Sequence, residues 1–206
     1  MSQNTLVYIV RHGETDLNKD RRFRGLTDIP LNEKGKLEAK NAASLIADEL
    51  TAIHTSPLQR AFQTAKIIGE IKRCDVIEDN FFIDINYGEW QGLTVEEVEE
   101  RFGRESITRW LSDPGIFRFP GGESMVEVRD RLKPGFENLI DRYKGKSVAV
   151  VTHMAVIKVC FLVLLELDFR WFWKIDIDNG SVSLFSHRGQ FGFVLNWWNR
   201  LPEVIS

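Results

Sequence analysis

The chain has 206 residues, enough for one domain with an ordinary core, and its 30 Asp and Glu against 27 Lys and Arg leave a net charge of −3. A mildly acidic balance excludes a general electrostatic affinity for nucleic acid or an anionic membrane, so any anion site must be a local cluster of Arg and His. Cys74 and Cys160 lie far apart in apolar surroundings and match no metal or disulfide spacing, which reads as two buried thiols of a reducing compartment.

In chain order, residues 1–10 show no basic leader, long apolar run or small-residue cleavage site, and a cytoplasmic protein is expected. Leu6 to Val10 is a β-branched run that reads as a buried parallel strand, and it leaves through Arg11, His12 and Gly13. Leu17 to Leu31 reads as a polar loop. Asn32 offers an N-cap to a helix carrying Leu37, Ala39, Ala42, Ala43, Leu45, Ile46 and Leu50. Ala52 to Thr55 is a short strand, and Ser56-Pro57 is a helix start in which the serine can cap. Asp75 to Ile77 is a third strand, and Phe81 to Ile85 an extended segment.

Between about residues 88 and 122 the pattern changes to short helices, one opened by a capping box at Thr94–Glu97 and one holding Ile107, Trp110 and Leu111. This stretch is expected to be a small helical cap inserted over the carboxyl edge of the sheet. Val126 to Tyr143 returns to a helical period. Ser147 to Thr152 is a second clear buried strand, and it too ends at a histidine, His153. Met154 to Leu167 is the most apolar stretch, but Lys158 interrupts it and it is too short for a bilayer span. Two late strands, 181–185 and 191–197, complete an α/β three-layer sandwich with a mostly parallel central sheet, a single domain over 1–206.

Ligands bind at the carboxyl edge of such sheets. Neighbouring strands lie about 5 Å apart, so His12 and His153 are able to face one another. Arg60, early in the helix after the second strand, is expected to turn its guanidinium toward the same edge. With Arg11 it would make a nest suited to a phosphoryl dianion, since guanidinium groups bind phosphate oxygens in pairs. Five tryptophans (Trp110, Trp171, Trp173, Trp197 and Trp198) read as core and cap packing.

An ordered series of motifs sharpens this reading: Arg11-His12-Gly13-Glu14-Thr15 with Asn18; Arg24-Gly25; Gly35; Ser56-Pro57-Leu58-Gln59-Arg60-Ala61; Tyr87-Gly88-Glu89-Trp90; Gly121-Gly122-Glu123-Ser124; and Thr152-His153. Together they resemble the histidine phosphatase (phosphoglycerate mutase-like) superfamily, in particular its smaller phosphatases. The resemblance implies that His12 attacks phosphorus, that Arg11, Arg60 and His153 hold the phosphoryl group, and that Thr15, Asn18, Arg24 and Gly25 contact substrate. Arg24 stands where the family commonly has a small polar residue or glutamine, and it is expected to read a second anionic group. The proton for the leaving group comes, in the family, from a glutamate at the position held here by Asp84; Glu89 is the rival acid.

The implied activity is metal-independent hydrolysis of a small phosphorylated metabolite with no cofactor. The alternatives are a phosphoglycerate mutase and a phosphate-binding module without turnover. A metal site of His12, His153 and Asp84 is disfavoured because Arg11 and Arg60 would repel a cation. Pairing of exposed sheet edges into a homodimer is a further expectation.

Overall fold

The computed structural model describes residues 4–17 and 22–202. Six strands form one sheet in the order β3-β2-β4-β1-β5-β6: β1 (Thr5–Arg11), β2 (Ala52–Thr55), β3 (Asp75–Glu78), β4 (Ser147–Thr152), β5 (Val182–His187) and β6 (Phe193–Arg200). The pairs β3–β2, β2–β4 and β4–β1 are parallel, and β5 and β6 add an antiparallel margin.

Alternation along the central strands divides the core. Val7 and Ile9 of β1 and Val148 and Val150 of β4 face one layer, while Tyr8, Val10, Ala149 and Val151 face the other. On the second face lie α1 (Glu33–Ala42) and α2 (Gln59–Lys72), which present mostly alanine and so pack close. The first face carries α5 (Met125–Arg142) and α6 (Met154–Leu164). Between β3 and α5, α3 (Val95–Phe102) and α4 (Arg104–Ser112) form the cap, tied to the same core through Val98, Ile107 and Trp110. Among the described residues no helix is long and apolar enough to cross a membrane.

The caps follow local chemistry. Asn32 accepts from Gly35 N, and Thr94 and Ser124 each close a full capping box, about 1 kcal/mol of helix stability apiece. At α2 the sequence expectation is corrected: the helix begins at Gln59, and its amide is capped by Asp28 Oδ1 at 2.7 Å from the distant 22–32 loop. Ser56 only accepts from Leu58 N at 3.3 Å. The expected extended segment 81–85 is extended only in part. Asp79 caps a 3-10 turn at Asn80–Phe82, and the chain then runs irregularly beneath α5. Leu37 is 57% exposed, so the apolar stripe of α1 is carried by Ala39 and Ala42 alone. Of the tryptophans, Trp110 is buried, whereas Trp171, Trp173 and Trp198 are substantially exposed and do not pack in the core.

Candidate active site

The β1–β4 register pairs Arg11 with Thr152, so the next residue of each strand is a histidine at the same height. His12 N donates to Thr152 O at 3.0 Å, and the two imidazole centroids lie 5.1 Å apart. Both rings border a cavity of about 600 Å³ between the sheet edge and the cap. Two glycines fix the chain here. A Cβ on Gly13 would collide with the carbonyl of Gly35, and one on Gly35 with the backbone of Glu14, so the loop after β1 lies directly on the start of α1. Thr64 adds a tether, accepting from Gly13 N at 3.1 Å while donating to Arg60 O at 2.7 Å.

His12 Nδ1 lies 2.7 Å from Gly13 O. A carbonyl only accepts, so Nδ1 carries the proton and Nε2 keeps its lone pair. Burial, and then the charges of Arg60 and Arg11, hold the imidazole well below its usual pKa despite the opposing carbonyl bond. At neutral pH the ring is unprotonated and sits in a positive field.

His153 uses both ring nitrogens. Arg60 Nε donates to Nδ1 at 3.1 Å, so Nε2 bears the proton and donates to Ser56 Oγ at 2.8 Å. Burial, followed by Arg60, keeps this ring neutral as well. Its 3.4 Å approach to Asp84 Oδ2 is therefore not an ion pair. Engaging a phosphoryl oxygen requires His153 to exchange one of these partners.

Arg60 differs from the sequence expectation in its place. It is fully buried and is not part of the cavity wall. Its guanidinium donates to His153 Nδ1, Thr27 O, Gly25 O and Asp84 Oδ2, the last three at 2.8 Å. It therefore positions the second histidine, the 25–27 turn and the acid rather than opening onto the cavity. Gly25, with φ of 48°, gives its carbonyl to this bond and borders the cavity, and any Cβ there would strike Gln91 Oε1 and Ile85 O.

Asp84 borders the cavity and is buried. Burial raises its carboxyl pKa, opposed by Arg60 and by the Ile85 amide on Oδ1. The irregular segment carrying it is held by Arg131 of α5, which donates to Phe81 O at 2.6 Å and Ile83 O at 2.7 Å. Thr152 Oγ1 ties Phe82 O to the end of β4 at 2.6 Å. Glu89 stands elsewhere: it is exposed, 3.7 Å from Arg101, and takes no part in the cavity wall.

Arg11 donates to Ile177 O at 2.6 Å, while its Nε and Arg24 Nη1 are buried donors without a hydrogen-bond partner. Unmatched guanidinium donors beside a cavity suit the oxygens of an anion. Burial, then Arg24, lowers the Arg11 pKa to about 10, which leaves it charged at neutral pH. Arg24 borders the cavity within electrostatic range of Asp84, Arg60 and Tyr87. The amino end of α6, capped by no side chain, also opens here through Met154 and Ala155. Thr15 is buried and is not in the cavity wall; Asn18 lies outside the described residues. The Glu14 carboxylate accepts from Asn32 and Lys34, at 3.0 and 2.6 Å. Among the described residues no group of three His, Cys, Asp or Glu side chains is arranged to hold a metal ion.

Four residues of this assembly escaped sequence reasoning as contributors: Ser56, Thr64, Gly35 and Arg131. The first three sit inside recognisable motifs, whereas Arg131 has no local signal because its partners are backbone carbonyls.

Known proteins resemble this chain over most of its length. The chain is 38% identical over 177 residues to phosphoserine phosphatase 1 of Hydrogenobacter thermophilus, covering 85% of this chain and 83% of that one. It is 35% identical over 199 residues to the 2,3-bisphosphoglycerate-dependent phosphoglycerate mutase 2 of Gloeobacter violaceus, covering 92% and 90%. An Entamoeba histolytica phosphoserine phosphatase variant, solved with phosphoserine, superposes with a TM-score of 0.84 at 29% identity, over 95% of this chain and 96% of that one. The family model for the histidine phosphatase superfamily (branch 1) matches residues 7–200, and with its two strand-end histidines this chain belongs to that superfamily as a phosphatase.

Proposed function

We propose that this chain hydrolyses a small phosphorylated metabolite in two steps through a phosphohistidine on His12. The observation that carries the reading is the fixed tautomer of His12, whose Nε2 lone pair stays free in a buried, positively charged site. In the first step Nε2 bonds to phosphorus as the ester P–O bond breaks, and protonated Asp84 gives its proton to the departing oxygen. Arg11, Arg24 and the α6 amides stabilise the charge spread over the phosphoryl oxygens. In the second step water attacks phosphorus, its proton returns to Asp84, and the N–P bond breaks to release phosphate.

Aspartate is one methylene shorter than the glutamate of the common pattern. The burial of Asp84 and the grip of Arg131 on its backbone support its acting as the acid, since they bring the short side chain to the cavity and burial raises its carboxyl pKa. The mutase alternative needs cationic groups in the cap for a second acidic group. Arg101 and Arg118 pair instead with Glu89 and Glu127, and neither Arg104 nor Arg109 borders the cavity, which favours release to water. Guanidinium groups take the electrostatic part that a metal plays in other phosphatases, so chelator treatment should leave the rate of phosphate release unaltered.

The reading is tested by mixing protein with labelled phosphomonoester and quenching in alkaline detergent, in which phosphohistidine survives. Label on His12 that chases into free phosphate is expected. A burst of phosphate without protein-bound label would overturn the two-step path. Isomerised product from 3-phosphoglycerate in excess of phosphate would favour the mutase. The free thiols Cys74 and Cys160 accord with a cytoplasmic setting.

A further inference from the structure

Among the described residues, two cations of the cavity wall are left unused by the proposed reaction, and of these Arg22 is paired with Glu97 whereas Lys158 is not paired with a carboxylate. Lys158 lies in the middle of α6, between Val156, Ile157, Val159 and Cys160, all buried and apolar. It is only 7% exposed, yet it borders the cavity. Its Nζ stands 5.3 Å from the ring centroids of both Phe172 and Trp173. Ring faces attract an ammonium but do not satisfy its three N–H donors, and no hydrogen bond or salt bridge from another described residue reaches it. Burial lowers its pKa, Asp176 works against this, and the charge of Arg11 adds to the lowering, so Lys158 lies within electrostatic range of the phosphoryl end.

A methionine would fill this part of α6 without desolvating a charge. A lysine here gains most when something entering the cavity brings a negative group to it. The surrounding wall is apolar, with Trp110, Leu111 and Val95 on the cap side and Phe172 and Trp173 beside the ammonium. A monoanion is cheaper to bring into such surroundings than a second phosphate dianion.

Resting on the phosphatase reading above, we propose that Lys158 is a specificity residue that binds a carboxylate on the leaving-group side of the substrate. The preferred substrates are then phosphomonoesters whose alcohol joins that carboxylate to an apolar body.

The test compares benzyl phosphate with its meta- and para-carboxy derivatives, whose leaving alcohols are similarly acidic. The better-fitting carboxylated ester should exceed benzyl phosphate in kcat/KM by about tenfold, the effect of one charge-assisted hydrogen bond in a shielded site. Lys158→Met should bring that ratio to about one, and Lys158→Arg should keep most of it. A merely structural lysine would depress all three substrates together and leave the ratio intact. A wild-type ratio of one, or a ratio that survives Lys158→Met, overturns the proposal. Should Lys158→Met fail to fold, Lys158→Gln, which keeps a polar end without the charge, takes its place with the same expected ratio of about one. Titrating the His12→Ala protein with the same esters, followed by tryptophan fluorescence, gives the ratio as Kd without turnover. Absent hydrolysis with an intact binding preference would therefore count against the phosphatase reading and for Lys158.

Discussion

The floor and the roof of the cavity are built on opposite principles. The floor, from β1, β4 and the 81–85 segment, is a bonded polar lattice in which His12, His153 and Asp84 each have a partner fixing their orientation. The roof is aromatic: Trp110 lies 5.1 Å from Trp173 and 5.0 Å from Phe119, and Phe172 lies 4.9 Å from Trp173, with no directional bond between them. Directional bonds hold a reacting atom to fractions of an ångström, whereas ring packing sets volume and polarity. The floor thus decides the chemistry and the roof decides which molecules reach it.

The comparison is broken most severely at His12. His12→Asn should lower kcat by at least about 10⁴-fold for every phosphomonoester, because no other unprotonated nucleophile faces phosphorus. A variant that retained more activity would move the nucleophile elsewhere.

Next in size is Asp84→Asn. With alkyl phosphates kcat should fall about 10³-fold, but with para-nitrophenyl phosphate by less than about tenfold, since that leaving group departs without a proton. Equal losses on both substrates would mean that Asp84 does not act as the acid.

Arg60→Met removes the cation bonded to both Asp84 and His153 and leaves the Thr27 and Gly25 carbonyls without their donor, at a cost of about 3 kcal/mol or more in unfolding free energy. It also bears on pH. In the wild type, activity should fall at low pH as His12 gains a proton, and that limb lies low because burial and cations depress the imidazole pKa. It should fall at high pH as Asp84 loses its proton, and that limb lies high because burial raises the carboxyl pKa. Removing the positive charge eases protonation of both groups, so both limbs of the kcat/KM profile should move to higher pH. An unshifted profile would show that Arg60 does not set these charges.

The smallest effect is expected in the roof. Leu111→Ala should raise KM for bulky esters by about threefold, the value of a partly exposed apolar side chain, and more than for phosphoserine. A loss concentrated in kcat would place the roof in the chemistry and erase the division.

The same division governs what the sequence disclosed. Strands of alternating apolar residues ending in His12 and His153 are written locally, as are the caps at Asn32 and Thr94 and the helix after Ser124. The place of Arg60 was not legible, because being buried under the floor or turned into the cavity follows from carbonyls at Gly25 and Thr27, and every residue carries a carbonyl. Arg131 beneath Asp84 was hidden for the same reason, and Asp28 at the start of α2 because it accepts from a backbone amide, which is no more distinctive. Trp173 packs on Trp110 of the cap as expected, whereas the exposed faces of Trp171 and Trp198 were not legible because hydrophobicity alone does not tell a packed ring from a surface one.

One guanidinium touches both the proton donor and the second imidazole. In the cycle proposed above, the negative charge that Asp84 acquires on giving up its proton would appear 2.8 Å from a cation that is already seated, so little would have to rearrange at that moment. On that proposal the protein would end the first half of its cycle already prepared to receive the proton that water must surrender in the second.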